Sequence, residues 1–193
     1  HYIGAGNADI QTVFSSVASG DWNNAATWDV GAAPTCTGNV TIFNGHNVTV
    51  NSASNVSRNL TINTGGTLTV VSGDLTVGCT LNNTPLTNNG TLTVSGGTLN
   101  VNGNIASNLG SVFNQSGGNI NIDGNNGGSA VGSVASGTPL LNFAQAVAGI
   151  NLTGGNLTII DPHTATTNTN AYALFYSNSA TVASTVNNSH VIR

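Results

Sequence analysis

Gly66-Thr67-Leu68-Thr69-Val70 and Gly90-Thr91-Leu92-Thr93-Val94 are one phrase written twice, and Thr98-Leu99-Asn100-Val101 is a looser third copy. Weaker echoes follow at Asn119-Ile120-Asn121-Ile122 and Asn156-Leu157-Thr158-Ile159. In each, aliphatic residues alternate with polar ones. That period of two marks a short strand with one buried face, and the flanking glycines suit turns that need positive φ. Leu68 to Leu92 is 24 residues, and Leu75 to Leu99 is again 24; Val112 and Ile120 lie 20 and 21 further on. Phrases that recur together at one period belong to stacked coils.

The strands come in sets: Leu60/Ile62, Leu68/Val70 and Leu75/Val77, then Leu92/Val94 and Leu99/Val101, later Ile120/Ile122. Between them lie minimal turns such as Asn63-Thr64-Gly65-Gly66, Ser72-Gly73, Ser95-Gly96-Gly97 and Ser116-Gly117-Gly118. Three short strands, two tight corners and a longer loop make one coil. Coils stacked about 4.8 Å apart would set Leu on Leu and Val on Val inside, with Thr and Asn rows outside. The reading is an all-β chain, a right-handed parallel β-helix (solenoid) with coils of about 20–24 residues. Its rival is a sandwich of hairpins. Residues 1–18 read as an N-terminal extension or linker and 19–193 as a single β-helix domain, with 19–58 as cap and first coil and 59–193 as repeats. With His1 at one end and a strand-like His190-Val191-Ile192-Arg193 at the other, the chain reads as part of a longer protein. The stretch Leu140–Ile150 has some helical spacing, but Pro139 and Gly149 make an irregular coil equally compatible with it.

Composition narrows the functional classes. The chain of 193 residues has 25 glycines, 5% aromatic and 4% charged residues, and its only cations besides histidine are Arg58 and Arg193. Nucleic-acid binding needs clusters of Lys or Arg to neutralise phosphates, and none exists. No apolar run reaches transmembrane length, so membrane insertion is not expected. The acids are all aspartates, and none of Asp21, Asp29, Asp74, Asp123 and Asp161 is one coil from another, so no pair of carboxylates stacks on one face. Polysaccharide-cleaving chemistry needs convergent carboxylates, usually beside a Lys or Arg, so the expectation is no enzyme, with no catalytic residue, cofactor or metal site. Asp123-Gly124-Asn125-Asn126-Gly127-Gly128 has oxygen donors at alternate positions but lacks the distal Glu of a calcium loop, and a long corner accounts for it. His46, His163 and His190 stand apart from one another. The Asn-x-Thr/Ser triplets fall within strands and follow from composition.

Cys36 and Cys79 are the only cysteines, one before Val40-Thr41-Ile42 and the other after Leu75-Thr76-Val77. They read either as a disulfide stapling the first coils or as two buried thiols. A lysine-free, Asn/Thr-rich chain favours the disulfide and an extracellular setting.

Both tryptophans, Trp22 and Trp28, lie in the opening segment. A solenoid end exposes strand edges, so they are expected to cover the first coil. The functional alternative is glycan stacking on Trp22 and Trp28. Rows of threonine can also bind ice; Thr67/Thr69 and Thr91/Thr93 would form one, broken in the next coil by Ser111/Phe113.

The series Gly20-Asp21-Trp22, Ala26-Thr27-Trp28, Pro34, Val40-Thr41-Ile42 and Asn44-Gly45-His46-Asn47-Val48-Thr49-Val50 resembles the opening of β-helical surface proteins secreted by Bacteroidetes. The later Leu-Thr-Val coils and Gly154-Gly155-Asn156-Leu157-Thr158-Ile159-Ile160-Asp161-Pro162 resemble their repeats. The resemblance spans about residues 15–193. It implies an adhesin-like, multi-module protein exported by the type IX secretion machinery and located extracellularly or on the cell surface. Expected partners are surface glycans or other cell-surface proteins. The implied role is a non-catalytic structural or adhesive module, with a carbohydrate-binding module or part of a polysaccharide-processing protein as the alternative. It supplies no catalytic residue.

Overall fold

The computed structural model describes residues 12–79, 86–123, 139–143, 149–160, 174–176, 185–186 and 190–192. These residues form parallel β-strands with no α-helix among them; a single 3-10 turn covers Ala25–Thr27.

Each turn of the chain lays one strand on each of three faces. The first face is a seven-stranded sheet of β1 (Val13–Ser15), β3 (Asn39–Ile42), β6 (Asn59–Ile62), β9 (Leu86–Asn88), β12 (Ile105–Ser107), β14 (Leu141–Phe143) and β16 (Leu174–Tyr176), in that order. The second holds β2 (Gly20–Asp21), β4 (Asn47–Val50), β7 (Thr67–Val70) and β10 (Thr91–Val94), and the third β5 (Asn55–Ser57), β8 (Asp74–Val77) and β11 (Thr98–Asn102). In the later coils β13 (Val112–Asp123) and β15 (Gly149–Ile160) run through the corner, joining the second and third faces into one curled sheet. There β15 also pairs with β17 (Thr185–Val186) and β18 (His190–Ile192). Every pairing between these strands is parallel, as in a solenoid and unlike a hairpin sandwich.

The registers deliver the expected ladders. Leu68 lies beside Leu92 and Val70 beside Val94; on the third face Leu75 lies beside Leu99 and Val77 beside Val101. All eight of these side chains are fully buried. Alternation within each strand is iBiB, with Thr and Asn facing out and aliphatics in. At about 25 cal/mol per Å², a fully buried Leu or Val contributes roughly 1.5–3 kcal/mol, so these columns supply the main driving force.

Three expectations need correction. Leu92 stacks on Phe113, 21 residues later, and Val112 faces outward beside Thr91. The threonine rows are therefore broken by Val112 and Asn114, while Phe113 is fully buried and packs edge-on against Phe143 with centroids 5.1 Å apart. Secondly, returns of 20, 24 and 21 residues link Asn47, Thr67, Thr91 and Val112, but the next return, to Gly149, takes 37. A corner accepts such an insertion because closing a longer loop costs entropy only logarithmically, while the strand pairing is unchanged. Thirdly, Val13–Ser15, assigned above to an N-terminal extension, is a strand of the first sheet with Phe14 buried. In the Leu140–Ile150 stretch, Leu141–Phe143 is a strand, and residues 144–148 lie outside the described residues.

The Ser-Gly-Gly corners stack on one another. Gly97, Gly118 and Gly155 follow one another up this corner, with φ of +62°, +64° and +86°. At Gly118 a Cβ would sit 2.5 Å from Gly97 O and 2.6 Å from Gly96 O. Glycine is required there twice, by the dihedral and by the main chain of the coil beside it.

Cys36 and Cys79 form a disulfide with Cα atoms 5.3 Å apart. It joins the approach to β3 with the exit from β8, closing the two coils between them.

Candidate functional site

The tryptophans form the cap. Trp22 and Trp28 are 1% and 2% exposed, T-shaped with ring centroids 5.2 Å apart. Trp28 Nε1 donates to Trp22 O at 2.7 Å. The 3-10 turn between them is capped by Asn24, whose Oδ1 accepts from Ala26 N at 3.0 Å. A sugar stacks only on an exposed ring face, and neither tryptophan offers one. Beside the cap, Ser16 Oγ accepts from Phe43 N at 2.9 Å and lies 2.8 Å from His46 Nδ1. Ser16 is 3% exposed, so this Ser–His pair fastens the first coil to the corner after β3.

Aspartates near the cap and corners hold main chain or amides. Asp29 Oδ1 accepts from Ser15 N at 2.8 Å, Asp74 Oδ2 from Ser54 N at 2.9 Å, and Asp21 Oδ1 from Asn51 Nδ2 at 2.9 Å. Among the described residues no three of His, Cys, Asp and Glu gather where they would hold a metal ion. The loop after Asp123, together with Asp161 and His163, lies outside the described residues, as does the side chain of His190.

Outside the barrel of aliphatics, asparagines form ladders. Asn59 Nδ2 donates to Asn39 Oδ1 at 2.9 Å, Asn121 Nδ2 to Asn100 Oδ1 at 3.0 Å, Asn151 Nδ2 to Asn114 Oδ1 at 2.7 Å and Asn156 Nδ2 to Asn119 Oδ1 at 3.1 Å. In each the later coil donates to the earlier one.

On the third face these side chains border a groove of about 440 Å³ lined by Thr76, Asn100, Asn102, Asn121, Asp123 and Ile160. Two columns build it. Thr76, Asn100 and Asn121 stand in register on β8, β11 and β13, and Asn102, Asp123 and Ile160 in register on β11, β13 and β15. The groove is a grid of polar groups about 4.8 Å apart along the stack and about 6.7 Å apart along the strand. It combines amides, a hydroxyl and one carboxylate with the apolar side chain of Ile160, which is 39% exposed.

Comparison of the chain with protein-family models, curated proteins and solved structures gives no match. The site rests on its own geometry.

Sequence reading passed over the groove because its residues sit in strands recognised for their inward side chains. A signal was present: the outward positions change from Thr76 to Asn100 and Asn102, and then to Asn121 and Asp123.

Proposed function

We propose that the chain is a non-catalytic structural module of a secreted or cell-surface protein, built as a right-handed parallel β-helix. The observation that carries this reading is the parallel stack: five consecutive coils, from β3 to β15, keep buried side chains in column on the first and second faces, and the pairing of β13 with β15 shifts register only at the corner after Gln115. Parallel strands joined by crossovers are right-handed in about 98% of cases, which favours that hand. A stack of this kind resists bending, because the strands of each coil are hydrogen-bonded to those of the next. The seven strands of the first face span six intervals of about 4.8 Å, or roughly 29 Å. A stalk would add such modules in series.

The disulfide suits an oxidising, extracellular setting. No helix among the described residues is long and apolar enough to cross a membrane. The resemblance to Bacteroidetes surface proteins adds type IX export and an adhesin-like parent to the proposal.

The test is a swap within the parent surface protein. An unrelated β solenoid of equal rise should restore adhesion after removal of this chain, whereas a flexible Gly-Ser linker should not. If the unrelated solenoid leaves adhesion abolished while surface display is normal, the spacer role is refuted.

A further inference from the structure

We propose that the third-face groove is a binding site for a linear neutral oligosaccharide lying along the stack. A spacer needs no such site, so this goes beyond the structural role. The inference starts from hydrogen-bonding capacity. Asn121 Nδ2 donates to Asn100 Oδ1 at 3.0 Å, which turns the Asn100 Nδ2 and the Asn121 Oδ1 away from that bond. Among the described residues neither of these two atoms has a hydrogen-bond partner, and the Asn102 amide has none either. The groove therefore presents an unused donor, an unused acceptor and a complete amide within two neighbouring coils.

Ligand chemistry follows from this set. A hydroxyl both donates and accepts, as does a carboxamide, and paired amides recognise adjacent hydroxyls at two points. Asp123 stands in register with Asn102 at the rim and makes that end of the groove acidic. Ile160 offers an apolar surface to the C–H face of a sugar ring. No Lys, Arg or His lines the groove, so an anionic polymer finds no counter-charge. A cation would find one carboxylate, whereas a calcium ion takes 6–8 oxygens. A protein strand is not favoured either, because the groove lies on the face of a sheet whose main chain is already paired within it. The spacing also fits: outward side chains recur about every 4.8 Å up the stack, so successive rings of an extended chain meet successive rows of the groove.

The test is calorimetric titration of the whole chain with cello-, xylo-, manno- and galacto-oligosaccharides, in buffer containing EDTA. Binding of at least one of them is expected. The double variant Asn102→Ala, Asn121→Thr should weaken it at least tenfold while leaving the circular dichroism spectrum and melting temperature close to those of the parent. Thr at position 121 removes the amide and puts a residue of high strand propensity in its place. The control is Asn114→Thr with Asn151→Thr, which removes a ladder on the second face and should leave affinity unchanged. Three results would overturn the proposal: no heat with any of the sugars, affinity unaffected by the groove variant, or equal loss in the second-face variant. Binding that appears only when calcium replaces EDTA would also overturn it, since the groove would then be a cation site.

Discussion

Substituting alanine at Gly118 and at Gly110 separates what the backbone asks of glycine from what the stack asks. Both residues have left-handed dihedrals, φ +64° at Gly118 and +78° at Gly110. An L side chain in that region costs roughly 1–2 kcal/mol, and alanine also removes freedom from the unfolded chain by a similar amount at both sites. These contributions cancel in the comparison. What differs is the neighbour. A Cβ at Gly110 meets nothing within 4 Å, whereas one at Gly118 lies 2.5 Å from Gly97 O and 2.6 Å from both Gly96 C and Gly96 O. Those atoms belong to the main chain of the preceding coil and cannot swing aside as a side chain would. Overpacking of this kind costs about 1–3 kcal/mol, so Gly118→Ala should lose about 2–5 kcal/mol and Gly110→Ala about 1–2.

For a chain of this length each kcal/mol moves the melting temperature by about 2–4 °C, so the two variants should melt some 2–12 °C apart. Urea unfolding followed by circular dichroism gives the free energies directly, with unchanged m-values showing that both states remain comparable. Equal destabilisation by the two substitutions would refute the stacking argument and leave glycine explained by dihedrals alone. A larger loss at Gly110 would contradict the corner geometry.

Reduction of the Cys36–Cys79 disulfide, which closes a loop of 43 residues, should cost about 4 kcal/mol on the loop-entropy relation. That corresponds to a fall of about 8–16 °C in melting temperature with a phosphine reductant, and a change under a few degrees would show that the bond does not constrain the unfolded chain. Asn88→Ala removes a buried amide that donates to Val112 O at 2.9 Å and to Ser107 Oγ at 3.2 Å and accepts from Gly90 N at 3.2 Å. Losing these partners should destabilise by about 1–3 kcal/mol in urea titration; no effect would mean water replaces the amide freely. Trp28→Ala empties the cap and should cost about 3–5 kcal/mol, with the remaining Trp22 fluorescence becoming accessible to acrylamide. Trp22 emission that stays blue-shifted and unquenched would show that Trp28 is dispensable to the cap.

Most of the fold was legible because one pattern does two jobs. In Thr67-Leu68-Thr69-Val70 the alternation sets which side chains enter the core, and the recurrence 24 residues later sets which side chains they stack on. The reading slipped where a landmark was missing. Gly90 marks the start of the second copy, but Ser111 occupies the corresponding place before Val112, so the sequence alone leaves the register open by one residue. In a strand one residue exchanges the faces, and this is why the periodicity places Phe113 outside whereas it lies in the core. The long returns after Val112 were hidden for a different reason: periodicity describes strands, and corners tolerate any length that closes. The groove was hidden because the outward residues of a single strand look ordinary. Only the registers of β8, β11, β13 and β15 bring Thr76, Asn100, Asn121, Asn102, Asp123 and Ile160 to one place.

Repetition that makes the fold readable also makes it ambiguous, because near-identical strands such as β7 and β10 offer equivalent aliphatic faces to any neighbour. The exceptions inside the core resolve this. Asn55 Nδ2 donates to Asp74 O at 2.8 Å, Asn88 Nδ2 to Val112 O at 2.9 Å, and Gln115 Nε2 to Asn156 O at 2.9 Å. Each is a buried amide near a corner, and each reaches forward to a main-chain carbonyl of the following coil. In a slipped register a leucine or valine column would still be buried, losing little, but these amides would lose their acceptors at about 1–3 kcal/mol each. Hydrophobic columns thus supply stability that is nearly indifferent to register, and three polar side chains supply the difference between registers. The outward asparagine ladders reinforce the same alignment from outside, and the disulfide closes the first full coils on it. A chain with so few charges specifies its order through amides, which is why asparagine is abundant on the surface and still placed at chosen points within.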